Sequence, residues 1–135
     1  MITFAETVIK QEDLILFRKI KRALDCIETF DTPGFDELTC HILGTAIGSL
    51  YGIKTVHGYW KSGYEHTWCV TDNGNIIDPY PIGAVGGPIL ITREVCYNLY
   101  NEREIRHGDT SSEKFLICVA TVKEQIQRSE RRATA

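Results

Sequence analysis

Apolar residues recur at intervals of three and four near the start of the chain. Leu14, Phe17, Ile20, Leu24 and Ile27 fall on one face of a helix expected between Gln11 and Phe30. Asp31-Thr32-Pro33-Gly34 is turn chemistry, because proline fixes φ and glycine tolerates positive φ. A second helix is expected from near Asp36, striped by Leu38, Ile42, Leu43, Ala46, Ile47 and Leu50 and stopped by Gly52 after Tyr51. The period then shortens to two. β-Branched and aromatic residues from Ile53 to Trp60 read as a strand, Lys61-Ser62-Gly63 turns the chain, and strands over 65–71 and 75–80 flank Asp72-Asn73-Gly74. The middle third is therefore an antiparallel meander. Pro79-Tyr80-Pro81 and the stretch from Gly83 to Pro88 are incompatible with a central strand and are expected as a surface loop. A helix is expected from about Thr92 to Tyr100, and another from the capping pattern Thr110-Ser111-Ser112-Glu113 to about Ser129. The pattern amounts to an α+β fold, with N- and C-terminal helices flanking a small antiparallel sheet.

At 135 residues the chain is read as one domain spanning residues 1–135, large enough to build its own core. Its five cysteines are an odd number without a short repeated spacing, which argues against a disulfide framework and for a reducing, cytoplasmic setting. No basic segment followed by an apolar stretch opens the chain, and no uncharged apolar run reaches the roughly 18 residues of a membrane span. A net charge of -3 provides no field to attract nucleic acid, and Arg128, Arg131 and Arg132, interrupted by Glu130, read as a solvated helix tail.

Against this background, Cys40, His66 and Asp78 supply a thiol, an imidazole and a carboxylate, each on a predicted rigid element. A thiolate attacks carbonyl carbon, so a nucleophilic cysteine needs a base to take its proton and a third group to orient that base. In the first turn of the second helix, Cys40 meets free N–H groups and the positive dipole end, which favour a thiolate and could also hold an oxyanion. The plainer reading of Cys40 is a small buried hydrophobe. Along the strand, His66, Trp68 and Val70 share one face while Thr67 and Cys69 share the other. That alternation parts Cys69 from His66 and disfavours zinc on His66-x-x-Cys69 with Cys40-His41. Trp68 is either core or a wall that keeps water from His66. His57 is the rival base, whereas His41 is too close to Cys40 to turn back on it and His107 lies in a polar loop.

Asp78 depends on hairpin register. A two-residue Asn73-Gly74 turn pairs Asp78 with Cys69 and points it away from His66; a three-residue Asp72-Asn73-Gly74 loop pairs it with Trp68, on the His66 face. Gly74 suits the three-residue loop, whose last position is left-handed, and that register is the one expected. The plainer role for Asp78 is to initiate a turn before Pro79.

Taken together, these residues resemble the transglutaminase-like branch of the papain-like cysteine enzymes. The matching residues are Cys40 with His41-Ile42-Leu43, Tyr51-Gly52-Ile53, Gly58-Tyr59, His66-Thr67-Trp68 and Asp78-Pro79, across roughly residues 35 to 82. The resemblance implies a papain-like core, a nucleophile helix packed on the sheet, with Cys40 as nucleophile, His66 as base and later acid, and Asp78 as orienter. It implies a thiol-dependent hydrolase or acyltransferase that acts on an amide or acyl group of a peptide or protein through a thioester, with water or an amine as acceptor. Thr39, where many members have glycine, and Trp68 are the positions assigned to substrate contact. No cofactor is called for: no metal set is read, and no calcium-binding Asp-x-Asp-x-Asp-Gly run occurs. No glutamine or asparagine stands between Phe30 and Cys40, so backbone N–H groups would carry the oxyanion. The stretch from Gly83 to Pro88 is either a substrate-contacting lid or an ordinary connector. The alternative is a module that keeps the fold and binds a peptide without turnover; a metal-binding regulator ranks third.

Overall fold

The computed structural model describes residues 9–25, 27, 40–61, 63–80, 88–92, 99–103 and 112–134. The turn at 31–34, the helix start near Asp36, Thr39, the loop residues 83–87 and His107 lie outside them. In chain order the elements are α1 (Gln11–Asp25), α2 (Cys40–Tyr51), β1 (Lys54–Trp60), β2 (Glu65–Val70), β3 (Ile76–Asp78), β4 (Ile89–Ile91), β5 (Tyr100–Glu102) and α3 (Glu113–Thr134). The five strands form one antiparallel sheet in the order β4-β3-β2-β1-β5. The fold is α+β, and no helix among the described residues is long and apolar enough to cross a membrane.

Strand alternation splits the interior into two cores. On one face, Cys69 and Ile77 pack against Ile20 and Ala23 of α1, Ile42, Leu43, Ala46 and Ile47 of α2, and Phe115, Cys118, Val119, Val122 and Ile126 of α3. On the other, Val56, Trp68, Ile76 and Tyr100 form a smaller aromatic core with Trp60, Val70, Ile91 and Leu99 around it. Helix α2 sits unusually close to the sheet because its contact stripe is glycine. A Cβ on Gly44 would stand 2.7 Å from Thr67 Cγ2, and one on Gly48 would collide with Thr55 Oγ1. The cross-strand pair Thr55 and Cys69 then holds the helix backbone, both side chains donating to the Gly44 carbonyl at 3.2 and 3.3 Å.

The hairpin between β2 and β3 has the three-residue loop. Cys69 pairs with Ile77 and Val70 with Ile76, Thr71 N donates to Asn75 O at 2.9 Å, and Gly74 takes φ 84°. An N-terminal carboxylate secures this loop: Asp13 of α1, only 3 % exposed, accepts from Thr71 Oγ1 at 2.8 Å, Asn75 Nδ2 at 2.6 Å and Asn73 Nδ2 at 3.1 Å. Strand β3 stops at Asp78. The next residue, Pro79, has no N–H to donate to a ladder.

Two helix ends need correction, and the body of the helix expected from about Thr92 to Tyr100 lies outside the described residues. At its expected ends Thr92 is not helical and Tyr100 is in β5, paired with Trp60, and just ahead of Thr92, Ile89–Ile91 forms β4 against β3. Short apolar runs of this kind fit either period, and pairing with existing strand edges decided them. Helix α1 ends at Asp25 rather than Phe30, with Ile27 closing a tight turn through its N–H to Leu24 O. Helix α3 is capped by Ser112, whose Oγ accepts from Phe115 N at 3.1 Å, and it continues past Ser129 to Thr134.

Candidate functional site

Cys40, Gly44 and Gly48 are spaced by four, so the thiol lies on the same stripe of α2 that meets the sheet, one turn ahead of the Gly44 anchor. Cys40 is the first described residue of that helix, half-buried, with a free thiol. The other described cysteines are buried. Burial pushes the Cys69 thiol up to about 12, and it also raises that of Cys118, so both are held as thiols.

The expected register brings His66 and Asp78 together. His66 Nε2 donates to Asp78 Oδ2 over 2.6 Å, with both side chains 0 % exposed. An ionised carboxylate only accepts, so the proton of this bond belongs to Nε2. Nδ1 is buried and, among the described residues, makes no hydrogen bond of ordinary geometry. Burial alone would lower the His66 pKa, but hydrogen bonding and charge from Asp78 and from the Cys40 thiol outweigh it and raise it to about 9. The Cys40 thiol thus belongs to the immediate electrostatic surroundings of His66.

Asp78 uses its two oxygens differently. Oδ1 accepts Tyr80 N–H at 3.0 Å and closes the turn through Pro79, while Oδ2 serves His66. The turn-initiating role and the orienting geometry therefore coexist in one side chain. Oδ2 also accepts from Tyr100 Oη at 2.8 Å. Tyr100 belongs to β5, three strand steps from β3, a span of roughly 14 Å in a flat sheet. The sheet accordingly curls over this face.

Aromatic rings enclose the imidazole. Trp68 stacks on it at 6.0 Å between ring centres, Trp60 meets it edge-on at 6.1 Å, and Tyr100 lies at 6.1 Å. In such a dry surround each polar contact is stronger than in water. Trp68 is 2 % exposed, and packing among Val56, Ile76 and Tyr100 makes it the wall behind His66.

The rival base His57 points to the α2 side of the sheet. Its Nδ1 and that of His41 both hydrogen-bond Thr67 Oγ1, at 2.8 and 2.5 Å. Burial lowers the pKa of both rings, and the neighbouring His57 lowers that of His41 further. Among the described residues, no group of three or more His, Cys, Asp or Glu side chains is placed to hold a metal ion.

Sequence reasoning missed Gly44, Thr67, Asp13 and Tyr100. The Cys40-x-x-x-Gly44-x-x-x-Gly48 spacing was the available signal for the first; nothing local marks the others. The chain matches no protein-family model, no curated protein and no solved structure. A functional reading therefore stands on the residues themselves.

Proposed function

We propose that the protein is a thiol-dependent hydrolase or acyltransferase with a transglutaminase-like arrangement of its papain-like core, acting on an amide or acyl group of a peptide or protein. The observation that carries this reading is the buried 2.6 Å contact from His66 Nε2 to Asp78 Oδ2, with Nδ1 left without a hydrogen bond among the described residues and the Cys40 thiol acting on the same ring. Near neutral pH His66 already holds the proton of the pair as the imidazolium, and the Cys40 thiolate attacks the substrate carbonyl carbon to give a tetrahedral oxyanion. Backbone N–H groups at the start of α2 stabilise that oxyanion. His66 then returns the proton to the leaving amine as the C–N bond breaks, leaving a thioester on Cys40. Water or an acceptor amine, deprotonated by His66, attacks the thioester and releases the acyl group, restoring the thiol. Asp78 keeps Nε2 protonated throughout, so that Nδ1 faces the chemistry.

Iodoacetamide labelling near neutral pH, resolved by residue with mass spectrometry, tests the reading. Cys40 should label faster than a free thiol, His66→Ala should slow it, Cys40→Ala should abolish that fast phase, and Cys69 and Cys118 should stay unlabelled while the protein is folded. Labelling of Cys40 at the rate of a free thiol, indifferent to His66, would instead mark a peptide-binding module that carries the fold without turnover.

A further inference from the structure

Asp78 has one more partner than orienting an imidazole requires. Tyr100 Oη donates to Oδ2 over 2.8 Å, and the same oxygen accepts His66 Nε2–H over 2.6 Å, while Oδ1 is taken by Tyr80 N–H. The Tyr100 ring is held edge-on by Trp60 at 4.9 Å and Trp68 at 5.1 Å. Ring packing alone would be met by phenylalanine; the hydroxyl needs a separate reason. We propose that Tyr100 is a positioning residue of this site, its hydroxyl sharing Asp78 Oδ2 with His66 so that the carboxylate is held against rotation and part of its charge is drawn away from the imidazole. This rests on the cysteine-enzyme reading for its purpose, although the hydrogen bonding stands without it.

The physical reason lies in the two tasks of the base. An imidazole that accepts a proton from the thiol must later give it to the leaving group, which works best when its proton affinity lies near the operating pH. A buried carboxylate with no competing donor would hold the imidazolium too firmly, because the low local dielectric magnifies their attraction. A neutral phenol on the same oxygen weakens that hold and adds no charge. Among the described residues, the titratable groups acting around this His66–Asp78 pair are Cys40 and His41 of α2, Tyr100 of β5 and Cys69 of β2.

The test is the 15N imidazole titration of His66 in the full chain, read alongside Cys40 alkylation. Tyr100→Phe keeps the ring and removes the hydroxyl; the His66 titration should move up by about half a pH unit, a roughly threefold gain in proton affinity. Incorporating 3-fluorotyrosine at position 100 makes the phenol a stronger donor and should move the titration the other way, which covers the case of a poorly folding Tyr100→Phe. A purely structural tyrosine would change thermal stability and leave both titrations in place. That result, or a downward movement in Tyr100→Phe, overturns the proposal. If the titrations move as expected while wild-type Cys40 reacts no faster than a free thiol, the enzyme reading fails and the hydrogen-bond assignment survives.

Discussion

Replacing Asp78 with asparagine removes one charge from the buried pair and nearly preserves its shape. His66 titrates at about 9 against an ordinary value of 6.5, and both partners are fully buried, so solvent screening does not discount the difference. At about 1.4 kcal/mol per pH unit, the folded state favours the imidazolium by about 3 kcal/mol. Because the folded pKa is the raised one, this stabilisation is fully present below pH 6.5 and is lost as pH rises through about 9. Wild-type protein should therefore lose stability across that window. In Asp78→Asn, burial is no longer opposed by the carboxylate, the His66 titration falls, and the pH-dependent part of the loss shrinks. Unpaired polar groups left by the asparagine add an offset common to all pH values. Urea midpoints measured from pH 6 to 9.5 on both proteins, together with the His66 15N titration, isolate the effect, since the other titrating groups largely cancel in the difference. An unchanged slope and an unchanged His66 titration in the variant would refute the reasoning, because the 2.6 Å contact would then not set the charge of His66.

Gly44→Ala places a methyl 2.7 Å from Thr67 Cγ2, which should cost about 1–3 kcal/mol of overpacking against a helix-propensity gain of about 1 kcal/mol. The shift it forces on α2 should also slow Cys40 alkylation; a variant at wild-type stability and rate would show that the close approach is unnecessary. Asp13→Ala leaves Thr71 and Asn75 without their buried acceptor, and a loss of about 3 kcal/mol should appear in urea unfolding. A loss below about 1 kcal/mol would mean that the β2–β3 loop holds its shape without α1.

Local signals went furthest where chemistry and geometry reside in the same few residues. Gly52 ends α2 at φ 65° and Gly74 closes the three-residue loop at φ 84°, both demands that glycine meets without steric cost. Strand alternation then placed Asp78 on the His66 face from loop length alone. The same reasoning did not find the strands Ile89–Ile91 and Tyr100–Glu102, segments too short to carry a decisive period. Nor does a sequence reveal how completely a ring such as that of Trp68 is covered.

By itself, then, the sequence determined the α+β order of helix, meander and C-terminal helix, the two-sidedness of β2, and the juxtaposition of His66 with Asp78. These follow from period, turn length and side-chain alternation, which act over a few residues. Only tertiary structure decided that β4 and β5 extend the sheet, that Asp13 secures the loop, and that Gly44 seats Cys40 against β2. It alone brought the Tyr100 hydroxyl to Asp78. Contacts between elements far apart in the chain depend on the curl of the sheet and the approach of α2, and no local pattern encodes either.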